Sequence, residues 1–319
     1  MNCLYLSDGT ISYRTHYQSQ PTGEGLIPID VQLAGICETD LQLQQGYMNF
    51  EGVLGHEFVG IAAAGKFSGQ RVVGEINCSC GRCSECSNNR SRHCTARTVV
   101  GILNHDGAFA DRVWVPEENL HAVPDSVSDQ QAVFTEPLAA ACRIPEQVRI
   151  KPSDQVVVLG DGRLGHLSAA VLALTSQHVT VVGKHQWKLD MLKPLSVSTC
   201  LLQDDLPSKT ADVVVDCTGS ESGFELALKA VRPCGTVVLK TTVANNHQLA
   251  LSAVVIDEVN IVGSRCGPFQ PALQMLERKE VDVERLVSAS YPLTDGIAAF
   301  QHAQQPDALK VLLEIGSLK

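Results

Sequence analysis

No stretch of this chain is apolar for long enough to cross a bilayer. Its longest apolar runs, 156–160 and 167–174, have the length of a strand or a short helix and are flanked by polar residues. Residues 1–5, Met-Asn-Cys-Leu-Tyr, carry neither the basic cluster nor the apolar core of a signal peptide, so a cytoplasmic protein without membrane partners is expected. Positive charge is also scarce. Lys and Arg number 25 against 35 Asp and Glu, a net charge of -10 that argues against a nucleic-acid partner, since phosphate binding needs a basic surface. Internal repeats and low-complexity tracts are lacking too.

Cysteine is plentiful, with twelve residues. In a protein that is not exported disulfides are disfavoured, so regular cysteine spacing reads as metal binding. Cys80, Cys83, Cys86 and Cys94 have that spacing in the run Cys-Gly-Arg-Cys-Ser-Glu-Cys-Ser-Asn-Asn-Arg-Ser-Arg-His-Cys. Thiolates two residues apart can turn onto one ion, and a fourth returned by a polar loop closes a tetrahedral shell with no open position. The pattern predicts a structural zinc in a lobe over about 78–98, ordering a segment too polar to fold by itself. Cys37 is a candidate ligand or nucleophile. The remaining seven, Cys3, Cys78, Cys142, Cys200, Cys217, Cys234 and Cys266, read as small apolar residues.

Residues 155–165, Gln-Val-Val-Val-Leu-Gly-Asp-Gly-Arg-Leu-Gly, run from a β-branched strand through Gly160, Gly162 and Gly165 into an apolar helix, and a second strand comes next at 179–182. In that context the glycines predict a dinucleotide site: backbone approaches the pyrophosphate at the helix start, and the third glycine allows helix-on-strand packing. Arg163 and Leu164 belong to the same loop. Asp161 puts an acid near phosphates and is expected to turn away from them. At the end of the second strand stand Gly183, Lys184 and His185, with Lys188 beyond. No acid is available there for ribose hydroxyls and cations are at hand for a 2′-phosphate, which favours NADP(H) over NAD(H). Strands at 211–216, 235–240 and 260–263 continue the alternation and predict a doubly wound parallel sheet, with Cys217 and Thr218 among the cofactor contacts.

Three short segments carry further chemistry. Leu54 to Gly60 reads Leu-Gly-His-Glu-Phe-Val-Gly, placing the donors His56 and Glu57 between glycines. Residues 35–40 read Gly-Ile-Cys-Glu-Thr-Asp, and residues 135–138 read Thr-Glu-Pro-Leu. In these segments, their order, the four-cysteine lobe and the glycine loop, nearly the whole chain resembles the zinc-dependent alcohol dehydrogenases of the medium-chain dehydrogenase/reductase superfamily. The polyol and threonine dehydrogenase branch is the most similar.

The resemblance implies a second, catalytic zinc held by Cys37, His56, Glu57 and Glu136, with water or substrate exchanging at one position. It implies that Thr39 passes the substrate proton and that Asp40 orients the zinc-binding histidine, a role with a clear physical reason. Gln42 stands where many relatives have a proton-relaying histidine. Gln does not titrate near neutral pH, so the outer relay falls to water, cofactor ribose or another group such as His105. Arg265, Tyr47, Met48 and Phe109 are weaker candidates for substrate contacts.

The fold implied is α/β: a GroES-like catalytic β domain over 1–142 and 265–319 and a Rossmann domain over 143–264. The activity implied is hydride transfer between NAD(P)(H) and an alcohol or carbonyl compound, with two zinc ions per chain and a homodimeric or homotetrameric state. A polyol, sugar or amino alcohol is the expected substrate class. Two alternatives use fewer of these residues: an alkene reductase of the same fold without catalytic zinc, and a non-catalytic zinc- and nucleotide-binding protein.

Overall fold

The computed structural model describes residues 1–316 except 22, 24, 205–207 and 241–250. The chain folds as two units, Met1–Glu136 with Phe269–Lys319, and Pro137–Pro268. The expected boundaries at 142 and 265 fall inside the second unit. The first division comes inside the first turn of the helix Thr135–Gln147, between Glu136 and Pro137.

The first unit is built on the long strand Leu26–Gly35. It pairs antiparallel with Glu57–Ala62 on one side and with Lys310–Glu314 on the other, and its first half also pairs with Arg112–Pro116. Leu120–Ala122 and Arg71–Gly74 extend the sheet beyond Glu57–Ala62, while Val287–Pro292 closes its other edge. Register places Gly35 opposite Glu57 on one neighbour and opposite Leu312 on the other, so three strands bring segments distant in sequence side by side. Ile29, Val31, Leu33, Val59, Val113 and Leu312 are buried on these strands. A small antiparallel sheet of Thr10–Arg14, Cys3–Ser7 and Gly52–Val53 completes the β structure together with the pair Asn77–Cys78 and Thr98–Val99.

The second unit is a six-stranded sheet, parallel throughout, in the order Ser198–Leu201, His178–Gly183, Gln155–Leu159, Ala211–Asp216, Val231–Leu239, Asn260–Gly263. Numbered along the chain, this is the 3-2-1-4-5-6 order of dinucleotide-binding folds. The β-branched runs serve both faces at once, because side chains alternate along a strand. Val156, Val158, Val181 and Val213 pack with Ala169 and Leu172 of the helix Arg163–Ala173. Val157, Leu159, Val182 and Val214 pack with Phe224, Ala227 and Leu228 of the helix Ser222–Ala230. The sequence reading missed the edge strand Ser198–Leu201, whose half-exposed Ser-Thr-Cys-Leu carries no apolar signal.

None of the twelve cysteines is in a disulfide. Cys3, Cys78 and Cys142 are buried, as small apolar residues are, whereas Cys234 departs from that reading: it is exposed, at φ +59°, with Sγ 3.6 Å from Glu258 Oε2. Among the described residues no helix is long and apolar enough to cross a membrane.

Candidate metal and cofactor sites

Within the first unit the polar lobe begins at Asn77–Cys78 and returns through Thr98–Val99, so its two ends are pinned by one antiparallel pair. Inside it the sulfurs of Cys80, Cys83, Cys86 and Cys94 converge. Cys83 Sγ lies 3.5 Å from Cys86 Sγ and 3.7 Å from Cys94 Sγ, and Cys94 Sγ lies 3.5 Å from Cys80 Sγ. A disulfide needs about 2.05 Å. The edge of a tetrahedron around zinc, at a Zn–S length of about 2.3 Å, is about 3.8 Å, so the four thiols fit that ion. A backbone N–H from Cys86 pulls the Cys83 thiol down to about 6, which favours the thiolate a metal takes, while burial pushes Cys94 up to about 11. The Cys80 N–H donates to Cys94 Sγ at 3.4 Å.

A second convergence lies at the edge of the large sheet. Cys37 caps the short helix Glu38–Gln44 just after Leu26–Gly35 ends, and His56 and Glu57 open the neighbouring strand. Ligand atoms of Cys37, His56 and Glu57 all lie within 4.8 Å of one another. Asp40 is fully buried behind them. Its Oδ2 accepts from the Cys37 N–H at 2.8 Å, and its Oδ1 lies 3.3 Å from His56 Nδ1. With Nδ1 turned to Asp40, Nε2 is the nitrogen left for a metal. Burial works to lower the His56 pKa, but the Asp40 carboxylate and Cys37 override it and raise it well above the ordinary value. Thr39 Oγ1 stands 3.8 Å from Cys37 Sγ. A thiol, an imidazole and a carboxylate in a protein-walled corner make a donor set suited to zinc.

Glu136 is not brought into that group. It sits half-buried in the first turn of Thr135–Gln147. Sequence reasoning also missed a residue that the fold places against the cluster, Lys310. Its ammonium is ion-paired with Glu57 Oε2, neither side chain has any exposed surface, and Nζ also donates to the Ile36 carbonyl at 3.3 Å. Gly35 makes room for this pair, since a Cβ there would lie 2.9 Å from Glu57 Oε2 and 3.2 Å from Lys310 Nζ. A lysine in the apolar-looking run Lys-Val-Leu-Leu-Glu was the one available signal. It reads as a strand end until the register is known.

Both ring nitrogens of His105, the suggested outer relay, are engaged by neighbouring groups. Its Nε2–H donates to the Trp114 carbonyl at 2.7 Å and Nδ1 is 3.0 Å from Thr98 Oγ1, with burial lowering its pKa. Gln42 donates to Glu38 at 3.0 Å. Phe109 is core, wholly buried and edge-on to Phe300 at 5.9 Å, while Met48 is 43% exposed.

In the second unit Gly160 follows the first strand and, at φ +113°, runs against the end of the fourth: a Cβ would lie 2.6 Å from the Cys217 carbonyl. Gly160, Cys217 and Thr218 therefore meet where the strand order reverses, the crevice in which such sheets bind nucleotides. Gly162 caps the helix that Arg163, Leu164 and Gly165 begin. Thr218 is held by Asp216, whose Oδ1 accepts from both its N–H and its hydroxyl. Lys188 does not stand free for a phosphate; it is only 7% exposed and lies over the Trp187 ring. Lys184 is exposed. Asp161 turns away from the glycine loop, as expected, towards the end of the second strand.

Residues 23–125 match the alcohol dehydrogenase GroES-like domain family, and residues 164–278 match the zinc-binding dehydrogenase family. A sorbitol dehydrogenase of Halalkalibacterium halodurans is 29% identical over 96% of each chain. Among solved structures, a zinc-binding dehydrogenase of Sinorhizobium meliloti bound to NADP superposes with TM-score 0.87 at 25% identity, covering 98% of both chains. An alcohol dehydrogenase of Escherichia coli CFT073 complexed with NADH superposes with TM-score 0.88 at 23% identity, over 98% of this chain and 99% of the other. Both domain types occur in one chain in this order, and the two converging donor groups, Cys37 with His56 and Glu57 and the four lobe cysteines, fall inside the first match. The chain belongs to the zinc-dependent alcohol dehydrogenases of the medium-chain dehydrogenase/reductase superfamily, oxidoreductases that act on CH–OH groups with zinc and a nicotinamide cofactor.

Proposed function

We propose that the chain is a polyol dehydrogenase that exchanges hydride between a nicotinamide dinucleotide and a sugar alcohol or its keto form. The observation that carries this is the convergence of Cys37, His56 and Glu57, with Asp40 buried behind and Thr39 beside them. The likeness to a sorbitol dehydrogenase over nearly its full length supports the substrate class.

Zinc bound by these three residues supplies Lewis-acid charge that lowers the pKa of an alcohol and polarises a carbonyl. The chain's own groups do the rest. Asp40 fixes the tautomer and plane of His56. Thr39 Oγ1 is the hydroxyl that takes the substrate proton, and with Gln42 and His105 both engaged elsewhere, water or the cofactor ribose takes it onward. Lys310 supplies the buried counter-charge to the Glu57 carboxylate. Glu136 is assigned as the fourth, exchangeable ligand, and the lobe of Cys80, Cys83, Cys86 and Cys94 as the second zinc site.

The lean of the sequence toward NADP(H) rests on the lack of an acid at the end of the second strand and on the cations Lys184, His185 and Lys188 there, and the burial of Lys188 weakens the second ground. A homodimer or homotetramer in the cytoplasm completes the reading. The exposed apolar residues Leu251, Val255, Ile256 and Ile261 support self-association, and twelve cysteines outside any disulfide suit a reducing compartment.

The test is turnover of sorbitol, xylitol and related polyols by zinc-loaded protein with NAD+ and NADP+, repeated with Cys37→Ala and His56→Ala. Loss of turnover in both variants, with the fold retained by circular dichroism, is expected. Wild-type turnover in either variant overturns the proposal.

A further inference from the structure

In dinucleotide-binding sheets the tip of the second strand recognises the adenosine ribose: an Asp or Glu there takes the hydroxyls of NAD, and a cation accommodates the 2′-phosphate of NADP. In this chain that tip is Gly183, followed by Lys184 and His185. No acid comes from the strand itself. One comes from the glycine loop instead. Asp161 Oδ2 accepts from the N–H of Lys184 at 2.8 Å and of His185 at 2.6 Å, and lies 3.1 Å from His185 Nδ1. The side chain is nearly buried, and all three bonds fall on Oδ2, which leaves Oδ1 for a ligand hydroxyl.

Asp161 and Gly183 fit each other. A Cβ on Gly183 would lie 2.5 Å from Asp161 Cβ and 2.7 Å from its Oδ2, so the strand tip has no side chain because the space is already filled by a carboxylate from the neighbouring loop. The same bonds resolve the oddity of an acid among phosphate-binding glycines, since they draw its charge toward two backbone donors and an imidazole.

We propose that Asp161 is the ribose-recognising carboxylate of this chain and makes it prefer NAD(H) to NADP(H). This rests on the reading of the second unit as a nicotinamide dinucleotide carrier. Two physical effects act together against a 2′-phosphate. The phosphate carries about -1.5 to -2 charge at neutral pH and would be set beside a fixed carboxylate. The backbone N–H groups of Lys184 and His185, which would otherwise serve an incoming phosphate, are already taken. Of the two lysines only Lys184 is exposed, and it stands against both effects. For the ribose of NAD the carboxylate is instead a charge-assisted acceptor of the kind that binds hydroxyls strongly.

The experiment is calorimetric binding of ADP-ribose and 2′-phospho-ADP-ribose to the full chain, wild type and Asp161→Ser, with NADH and NADPH fluorescence titrations alongside. Wild type is expected to bind ADP-ribose about tenfold or more tightly than its 2′-phosphorylated form, and Asp161→Ser to shift that ratio toward the phosphorylated ligand by about tenfold or more. Equal or tighter wild-type binding of the phosphorylated ligand overturns the proposal, and so does an unchanged ratio in a folded variant. If Asp161→Ser does not fold, the wild-type ratio decides alone. Failure to bind any of the four ligands instead removes the dinucleotide-carrier reading, and this proposal with it.

Discussion

Lys310 and Glu57 form an ion pair with no exposed surface on either side chain, one strand away from each other across the gap left by Gly35. Two buried opposite charges compensate each other, and removing one strands the other. Lys310→Met is therefore expected to cost about 3–5 kcal/mol, read from urea denaturation of zinc-loaded protein. Adding Glu57→Gln to Lys310→Met is expected to recover part of that loss. A double variant as unstable as the sum of the singles would show that the two side chains do not interact.

Elemental analysis separates the two candidate metal sites. Wild type is expected to hold about two zinc ions per chain. Cys83→Ser is expected to lose the one in the lobe together with much of its protease resistance, and Cys37→Ser to lose the other while the lobe stays intact. Glu136→Ala bears on the fourth ligand: a variant that keeps both zinc ions at full affinity removes Glu136 from the set.

Replacing Thr39 by Val keeps its volume and deletes the hydroxyl. Turnover is expected to fall by about 10²–10⁴-fold with little change in zinc content, and Thr39→Ser to restore most of it. Equal turnover in Thr39→Val would assign proton transfer to another group.

His105 gives a pH dependence. Burial lowers its folded pKa, and its neutral form is fixed by Nε2–H donating to Trp114 and by Nδ1 against Thr98. A histidine with a depressed folded pKa adds its full stability above the unfolded value of about 6.5 and loses it as pH falls from there toward the folded pKa. Wild type is expected to lose more stability than His105→Gln between about pH 7 and 5 in thermal melts. Parallel profiles would refute the assignment.

Most of the second unit was legible because its strands are buried on both faces and its helices are apolar. Val156–Leu159 and Val213–Val215 announce themselves, and the glycine loop marks the turn between strand and helix. Ser198–Leu201 was not legible, since an edge strand has only half a surface to bury. The lobe was legible from spacing, because its ligands are near in sequence. Cys37 and His56 needed a resemblance to be connected. Lys310 was not found at all, because its partner is 253 residues away and only sheet register brings them together. Asp161 was noticed, yet its destination at Gly183 depended on how the loop folds back, which no local pattern states.

The strand Lys310–Glu314 completes the wall behind Cys37, His56 and Glu57 only after the whole second unit has been passed in the chain. During synthesis the lobe thiols emerge within fifteen residues of one another and can capture an ion while the ribosome is still making the rest of the polypeptide. The other corner, with its glutamate lacking a counter-ion, waits for the return of the chain. On the proposed two-zinc reading, metal loading would be ordered in time: the lobe could take its ion first, and the corner of Cys37, His56 and Glu57 would have a finished seat only once translation has delivered Lys310.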